Sequence, residues 1–166
     1  MKTKQRQRSF SFVGQYEATV LTDARIILPN DVIRQLQDHG IKKVLPGRLP
    51  FLKAVVLCPE TLWAQWTYKL KRSFPCLETH SGARTFVIPW QPISWDAKGR
   101  ILLPRQAREY AGIKPDHTVI ILGNDYCFEV WSEEKFNEIT RECEAVLQRS
   151  IQPLPSTGKA VSPEQI

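Results

Sequence analysis

The pattern of the stretch Ser94-Trp-Asp-Ala-Lys-Gly-Arg-Ile-Leu-Leu-Pro104 reads as strand, tight charged turn, strand, then proline-initiated helix in eleven residues. Gly99 suits a turn that needs positive φ, with Lys98 and Arg100 as flanking cations. Ile101, Leu102 and Leu103 form an apolar run that Pro104 ends, and a proline is well placed in the first turn of a helix. A basic turn on a stiff apolar support can contact phosphates or base edges. An ordinary hairpin with a solvated tip has the same local pattern.

The pattern occurs twice. Arg25-Ile-Ile-Leu-Pro29 aligns with Arg100-Ile-Leu-Leu-Pro104 without a gap, 75 residues apart. Such self-similarity marks a repeated supersecondary unit. After each proline a helix is expected. One has Ala107, Tyr110 and Ala111 on one face and stops at Gly112; the other carries Val32, Ile33 and Leu36. Strands are predicted at 118–122 and 126–131 around a turn at 123–125, and at 54–58 in the first half, following a Pro/Gly-rich loop at 46–50. Each half closes with an amphipathic helix. Ser132 is the N-cap of one, whose stripe is Phe136, Ile139, Cys143 and Leu147; Pro59 starts the other, with Trp63, Trp66 and Leu70. Such stripes pack on their own domain or on each other, and Trp63 and Trp66 also suit a subunit interface.

Composition limits the function classes. The chain has 166 residues, a formal charge of +6 and a pI near 9.3, which favours an anionic partner. No apolar run is long enough to span a membrane, and the start lacks the apolar core of a signal peptide, so a cytoplasmic protein without a membrane partner is expected. Cys58, Cys76, Cys127 and Cys143 are widely spaced without a CxxC pair, and His39, His80 and His117 are scattered. The cysteines therefore read as reduced packing residues, with no metal site and no cofactor. No nucleophile stands beside a base, no paired carboxylates have a recognisable setting and no Gly-rich phosphate loop is present, so neither an enzyme nor a small-molecule substrate is expected.

The divisions read as a basic arm at 1–9, a first module at 10–72, a linker at 73–92, a second module at 93–148 and a disordered Pro/Ser-rich tail at 149–166. The arm carries Lys2, Lys4, Arg6 and Arg8, and suits either a DNA-touching segment or a solubilising one. Within the linker, 85–88 reads as a strand.

On these motifs, with Arg108-Glu-Tyr-Ala-Gly112, Phe128-Glu-Val-Trp131, Gly14-Gln-Tyr-Glu17 and Val56-Leu-Cys-Pro59, the chain resembles the MraZ family over roughly residues 10 to 147. That family is built from two tandem SpoVT/AbrB-like swapped-hairpin modules. The resemblance implies an α+β, mainly β fold: a pseudo-twofold pair of such modules with short helices, each closed by an amphipathic helix. It also implies a transcriptional regulator, typically a repressor of its own division and cell-wall gene cluster, that binds short direct repeats in double-stranded DNA as a ring-shaped homo-oligomer at the nucleoid. Carried over, the DNA-binding residues are Lys98 and Arg100, with Arg25 from the first module and secondarily Arg105 and Arg108, for which a solvated helix face is the competing reading.

The first module departs from the pattern. It reads Leu21-Thr-Asp-Ala-Arg25, with Asp23 where Lys98 stands and Ala24 where Gly99 stands, and Arg34 lies one place later than Arg108 does. An anion then faces any approaching phosphate, and the turn loses its glycine. Two other readings accompany the leading one: an assembly or interaction module with degenerate DNA binding, and an AbrB-type antitoxin whose tail wraps a toxin.

Overall fold

The computed structural model describes residues 11–151. The basic arm at 1–9 and all of the tail beyond Ile151 lie outside the described residues.

The turn, short strand and helix of the repeated stretch form as expected, but the strand expected before the second turn does not: residues 94–96 are not strand, and only Ile93 bridges, to Val44. In the first half, β1 (Gln15–Thr19) leads through a turn into β2 (Ile26–Ile27) and α1 (Asn30–Asp38), then β3 (Val44–Leu49) and β4 (Ala54–Pro59). A 3-10 turn (Glu60–Leu62) and α2 (Trp63–Ser73) follow. Between the halves lie a second 3-10 turn (Pro75–Glu78), the single turn α3 (His80–Gly82) and a π-turn (Ala83–Val87). The second half repeats the order with β5 (Arg100–Ile101), α4 (Arg105–Ala111), β6 (Thr118–Asn124), β7 (Cys127–Ser132) and α5 (Glu133–Ser150). The fold is α+β, dominated by antiparallel pairing.

Pro29 and Pro104 each stand immediately before their helix. The Pro29 carbonyl accepts from the Val32 and Ile33 amides, and the Pro104 carbonyl from that of Arg108. Gly112 ends α4 in the left-handed region at φ +66°, where a residue without Cβ is favoured. Ser132 caps α5, its hydroxyl accepting from the Lys135 amide.

Five strands form one antiparallel sheet in the order β1-β6-β7-β4-β3, so the β6–β7 hairpin of the second half lies between β1 and β4 of the first. β1 pairs with β6 from Gln15↔Leu122 to Thr19↔Thr118, and β4 pairs with β7 through Val56↔Glu129. β2 and β5 form a separate two-stranded ribbon, registered Ile26↔Ile101 and Ile27↔Arg100. The main core lies between ribbon, helices and sheet, and includes Phe12, Val20, Ile26, Leu28, Val32, Leu36, Ile101, Leu103 and Phe128. A smaller cluster of Ala54, Ile120 and Trp131 receives Phe136 and Ile139 of α5. Beside it the buried Glu129 carboxylate accepts from Trp131 Nε1 at 3.0 Å and Asn124 Nδ2 at 2.7 Å.

Several expectations are corrected. Residues 46–50 are not a loop, because Val44–Leu49 is strand β3. β3 is a sheet edge, where a proline removes no needed ladder bond, and a Cβ on Gly47 would come within 2.5 Å of the Trp63 ring. The strand read at 85–88 is replaced by the π-turn Ala83–Val87, and Leu77 just before it is buried in the core. Trp66 and Leu70 are buried and Trp63 stacks on Trp66 at 4.8 Å, so this pair serves the core of its own chain. The α5 stripe is only half used: Phe136 and Ile139 pack, whereas Cys143 and Leu147 are exposed, and the helix continues through Ser150 past the expected boundary at 148. Of the other cysteines, Cys58 and Cys127 are buried and Cys76 is exposed. Burial pushes the Cys58 thiol up to about 12, which suits a packing role.

Candidate nucleic-acid interface

Along each strand of the ribbon, successive side chains point to opposite faces. Ile26 and Ile101 turn inward and are about 1% exposed or less, which sends Ile27 and Leu102 outward at 42% and 50%. The arginines that begin the two runs, Arg25 and Arg100, share this outward face. It is a two-stranded antiparallel surface with two guanidinium groups and two aliphatic side chains.

The turn before β5 is held by one carboxylate. Asp96 Oδ1 accepts from the amides of Lys98 and Arg100, both at 2.9 Å, and Oδ2 accepts from Arg100 Nε at 2.7 Å with Nη2 also at 2.7 Å. The side-chain bond from Arg100, helped by its amide, holds the Asp96 carboxyl down to about 2. The same pairing raises Arg100 above its usual value. Gly99 sits at φ +71°, and its carbonyl accepts from the Leu28 amide, joining the turn to the other half.

The turn before β2 has the same backbone bonds. Leu21 N–H donates to Arg25 and Ala24 N–H to Leu21, matching Asp96 to Arg100 and Gly99 to Asp96. Ala24 takes the left-handed conformation at φ +65°, so the loss of glycine leaves the turn strained rather than reshaped. Asp23 takes over the work of Asp96, at whose position this turn has Leu21. Asp23 Oδ1 accepts from the Arg25 amide at 3.1 Å and Oδ2 from Arg25 Nε at 2.8 Å. The bond from the Arg25 amide, above all, lowers the Asp23 carboxyl below its ordinary range. The acid has moved within the turn and displaced the lysine, and Arg25 keeps its orienting carboxylate. Arg25 Nη1 also lies 3.6 Å from Asp96 Oδ2, so two acids and two arginines form one continuous cluster.

This cluster is formally neutral, which makes Lys98 the cation that gives the second turn its sign. Lys98 is exposed at the turn tip and forms no ion pair among the described residues. Beside it an open groove of about 520 Å³ is lined by Asn30, Ile33 and Gln37 of α1 and by Trp95, so the first half supplies polar amides next to the second turn. Arg105 and Arg108 lie on α4 and differ. Arg105 is 82% exposed and paired with Glu109 at 2.7 Å, while Arg108 is half-buried and donates to the Leu103 carbonyl at 3.2 Å. Arg34 is paired with Asp31 at the surface. The five expected residues thus divide into Arg25 and Arg100 on the ribbon, Lys98 at its turn, and two helix arginines already engaged. Ile27, Leu102, Asn30 and Gln37 were not anticipated. The period of two in the Ile-Ile-Leu and Ile-Leu-Leu runs carries the signal for the first pair; the second pair had none, since it depends on contact between the halves.

Comparison with known proteins agrees with the repeated motif. The family model described as "MraZ protein, putative antitoxin-like" matches residues 91–151. The protein named Transcriptional regulator MraZ from Moorella thermoacetica is 33% identical over 135 residues, covering 79% of this chain and 87% of the relative. The protein of the same name from Syntrophomonas wolfei is 30% identical over 149 residues, covering 89% and 99%. That from Bacteroides fragilis is 29% identical over 136 residues, covering 81% and 85%. At 33% and 30% identity, with 87% and 99% of the first two relatives covered, the chain belongs to the MraZ family.

Proposed function

We propose that the protein is a sequence-specific double-stranded DNA-binding transcriptional regulator, a repressor of its own division and cell-wall gene cluster, working in the cytoplasm at the nucleoid. The observation that carries this reading is the β2–β5 ribbon with Arg25, Ile27, Arg100 and Leu102 on its outer face and Lys98 beside it. A two-stranded antiparallel ribbon fits the major groove, where arginine pairs with guanine O6 and N7 and aliphatic groups contact the thymine methyl. Asp96 and Asp23 fix the two guanidinium planes before DNA arrives, so less side-chain freedom is lost on binding. Lys98 supplies a phosphate contact that holds register without reading sequence.

The pairing register supports two related modules, 10–72 and 93–148, arranged about a pseudo-twofold axis as swapped hairpins. Ile26 pairs with Ile101, its own counterpart in the repeat, and Ala18↔Val119 has its counterpart in the bridge Val44↔Ile93. Each half thus lends its first strand to the hairpin of the other. Several copies in a ring would present ribbons to successive direct repeats, and each repeat engaged would raise the effective concentration for the next.

The test is anisotropy titration with a duplex from upstream of the protein's own gene, at several salt concentrations and against a scrambled duplex. The proposal expects preference for the native duplex and a steep fall of affinity with salt. Equal affinity for both duplexes would refute sequence-specific recognition.

A further inference from the structure

The groove beside Lys98 belongs to neither half alone. It is lined by Asn30, Ile33 and Gln37 of α1, from the first half, and by Trp95, Asp96 and Lys98 at the second turn. Helix and turn are fixed to each other. The Leu28 amide donates to the Gly99 carbonyl at 2.9 Å, and Ile33 Cδ1 packs so closely over Gly99 that a Cβ there would lie 2.7 Å from it. The amides of α1 therefore stand at a set position relative to the turn cation.

Other polar side chains of α1 are committed within the chain. Asp31 pairs with Arg34, while Gln35 accepts from the Val13 amide and donates to the Val13 carbonyl and to Tyr16 Oη. Asn30 and Gln37 are exposed, and among the described residues their side-chain amides form no hydrogen bond. A free primary amide donates and accepts at once. Adenine presents the matching pair in the major groove, a donor at N6 and an acceptor at N7.

Spacing places the two amides as a pair. Positions 30, 33 and 37 make one stripe of α1, with Ile33 seated on the turn between the two amides. Along the helix axis the amides are about 10 Å apart, which corresponds to about three base steps. The other half has no such pair. Shifted by the repeat of 75 residues, the three positions become Arg105, Arg108 and Gly112 of α4. There Arg105 is paired with Glu109 and Arg108 is bonded to the Leu103 carbonyl. The amide stripe thus occurs once per chain and adds to the asymmetry between Lys98 and Asp23. A reader that is asymmetric in this way suits direct rather than inverted repeats.

We infer that Asn30 and Gln37 are specificity-determining residues that read the major-groove edges of two adenines about three base steps apart, beside the phosphate held by Lys98. This rests on the DNA-binding part of the proposed function, and it assigns base recognition at the second turn to a helix of the first half.

The experiment is anisotropy titration of the full chain and of its Asn30→Ala and Gln37→Ala variants on the duplex from upstream of the protein's own gene. Further duplexes carry, at each adenine in turn, a deazaadenine with C–H in place of N7, which keeps the base pair. The wild type should bind severalfold more weakly when either of two adenines about three steps apart is replaced. Each variant should lose about tenfold on the native duplex and become indifferent to replacement at one of those adenines, while still sensing the other. Its salt dependence should match that of the wild type, since an amide neutralises no phosphate. Circular dichroism checks that the variants keep the fold. A wild type that binds native and scrambled duplexes alike would overturn sequence reading itself. A wild type with sequence preference, whose two variants still sense every replacement that it senses, would overturn this inference alone. So would a variant weakened equally on native and scrambled DNA, the mark of a phosphate contact.

Discussion

Gly99→Ala tests whether the second turn is held as tightly as its contacts imply. At φ +71° an L-residue costs about 1–2 kcal/mol, from which about 0.4–1 kcal/mol is recovered because alanine restricts the unfolded chain. The surroundings add to this. A Cβ at Gly99 would lie 2.7 Å from Ile33 Cδ1, closer than packed atoms tolerate, so Ile33 must move at a further cost of about 1 kcal/mol. The sum is about 1–3 kcal/mol, a fall in thermal midpoint of roughly 3–10 °C for a chain of this size. The first turn is the internal control, because Ala24 already occupies the equivalent conformation at φ +65° and is buried. Ala24→Gly relieves the backbone cost but loses a buried methyl and frees the unfolded chain, leaving it within about 1 kcal/mol of neutral. Differential scanning calorimetry compares the two. Adding Ile33→Val to Gly99→Ala removes Cδ1 and should restore part of the loss. Equal midpoints for Gly99→Ala and Ala24→Gly, or no recovery in the double variant, would refute this account of the turn.

Two further outcomes follow from the same geometry. The Asp96 carboxyl is held down to about 2 against an ordinary 3.8, so its contribution to stability is fully present above 3.8 and is lost as pH falls toward 2. The stability difference between wild type and Asp96→Asn, followed by denaturant unfolding against pH, should therefore be constant near neutrality and shrink over that acid range. Trp131→Phe leaves Glu129 Oε2 buried without its 3.0 Å donor and should destabilise by about 1–3 kcal/mol in urea titration. Trp63→Phe, which strips no buried carboxylate of a donor, should cost less.

Local chemistry was legible in the sequence. The two prolines, Gly112 and Ser132 announce helix ends because each acts on its own backbone, and the repeated Arg-to-Pro runs announce two short strands but not that these pair with each other. β3 was hidden because Pro46 and Gly47 are loop residues on local grounds, and only an edge position with Trp63 across it makes them strand residues. The helical turns after Phe74 were hidden because their prolines suggested an open linker, while Leu77 is tied into a core built by both halves. The site was half legible. Position by position, Asp23 reads as a charge reversal of Lys98; in space it serves Arg25 as Asp96 serves Arg100, a substitution visible only when Leu21 is seen standing in the place of Asp96. The contribution of α1 to the groove beside Lys98 arises from contact between the halves, which no local pattern encodes.

The central claim is an asymmetric ribbon, in which the second turn, with its exposed lysine, contributes more to DNA binding than the first, whose lysine position holds Asp23. Anisotropy titrations of Lys98→Ala, Arg100→Ala and Arg25→Ala on the duplex from upstream of the gene, each across a range of salt, measure this directly. Arg100→Ala should weaken binding by about tenfold or more and relax sequence preference, and Lys98→Ala should flatten the logarithmic salt dependence by about one unit of slope for each phosphate it no longer neutralises. Arg25→Ala should have the smallest effect; a larger loss for Arg25→Ala than for Arg100→Ala would contradict the account.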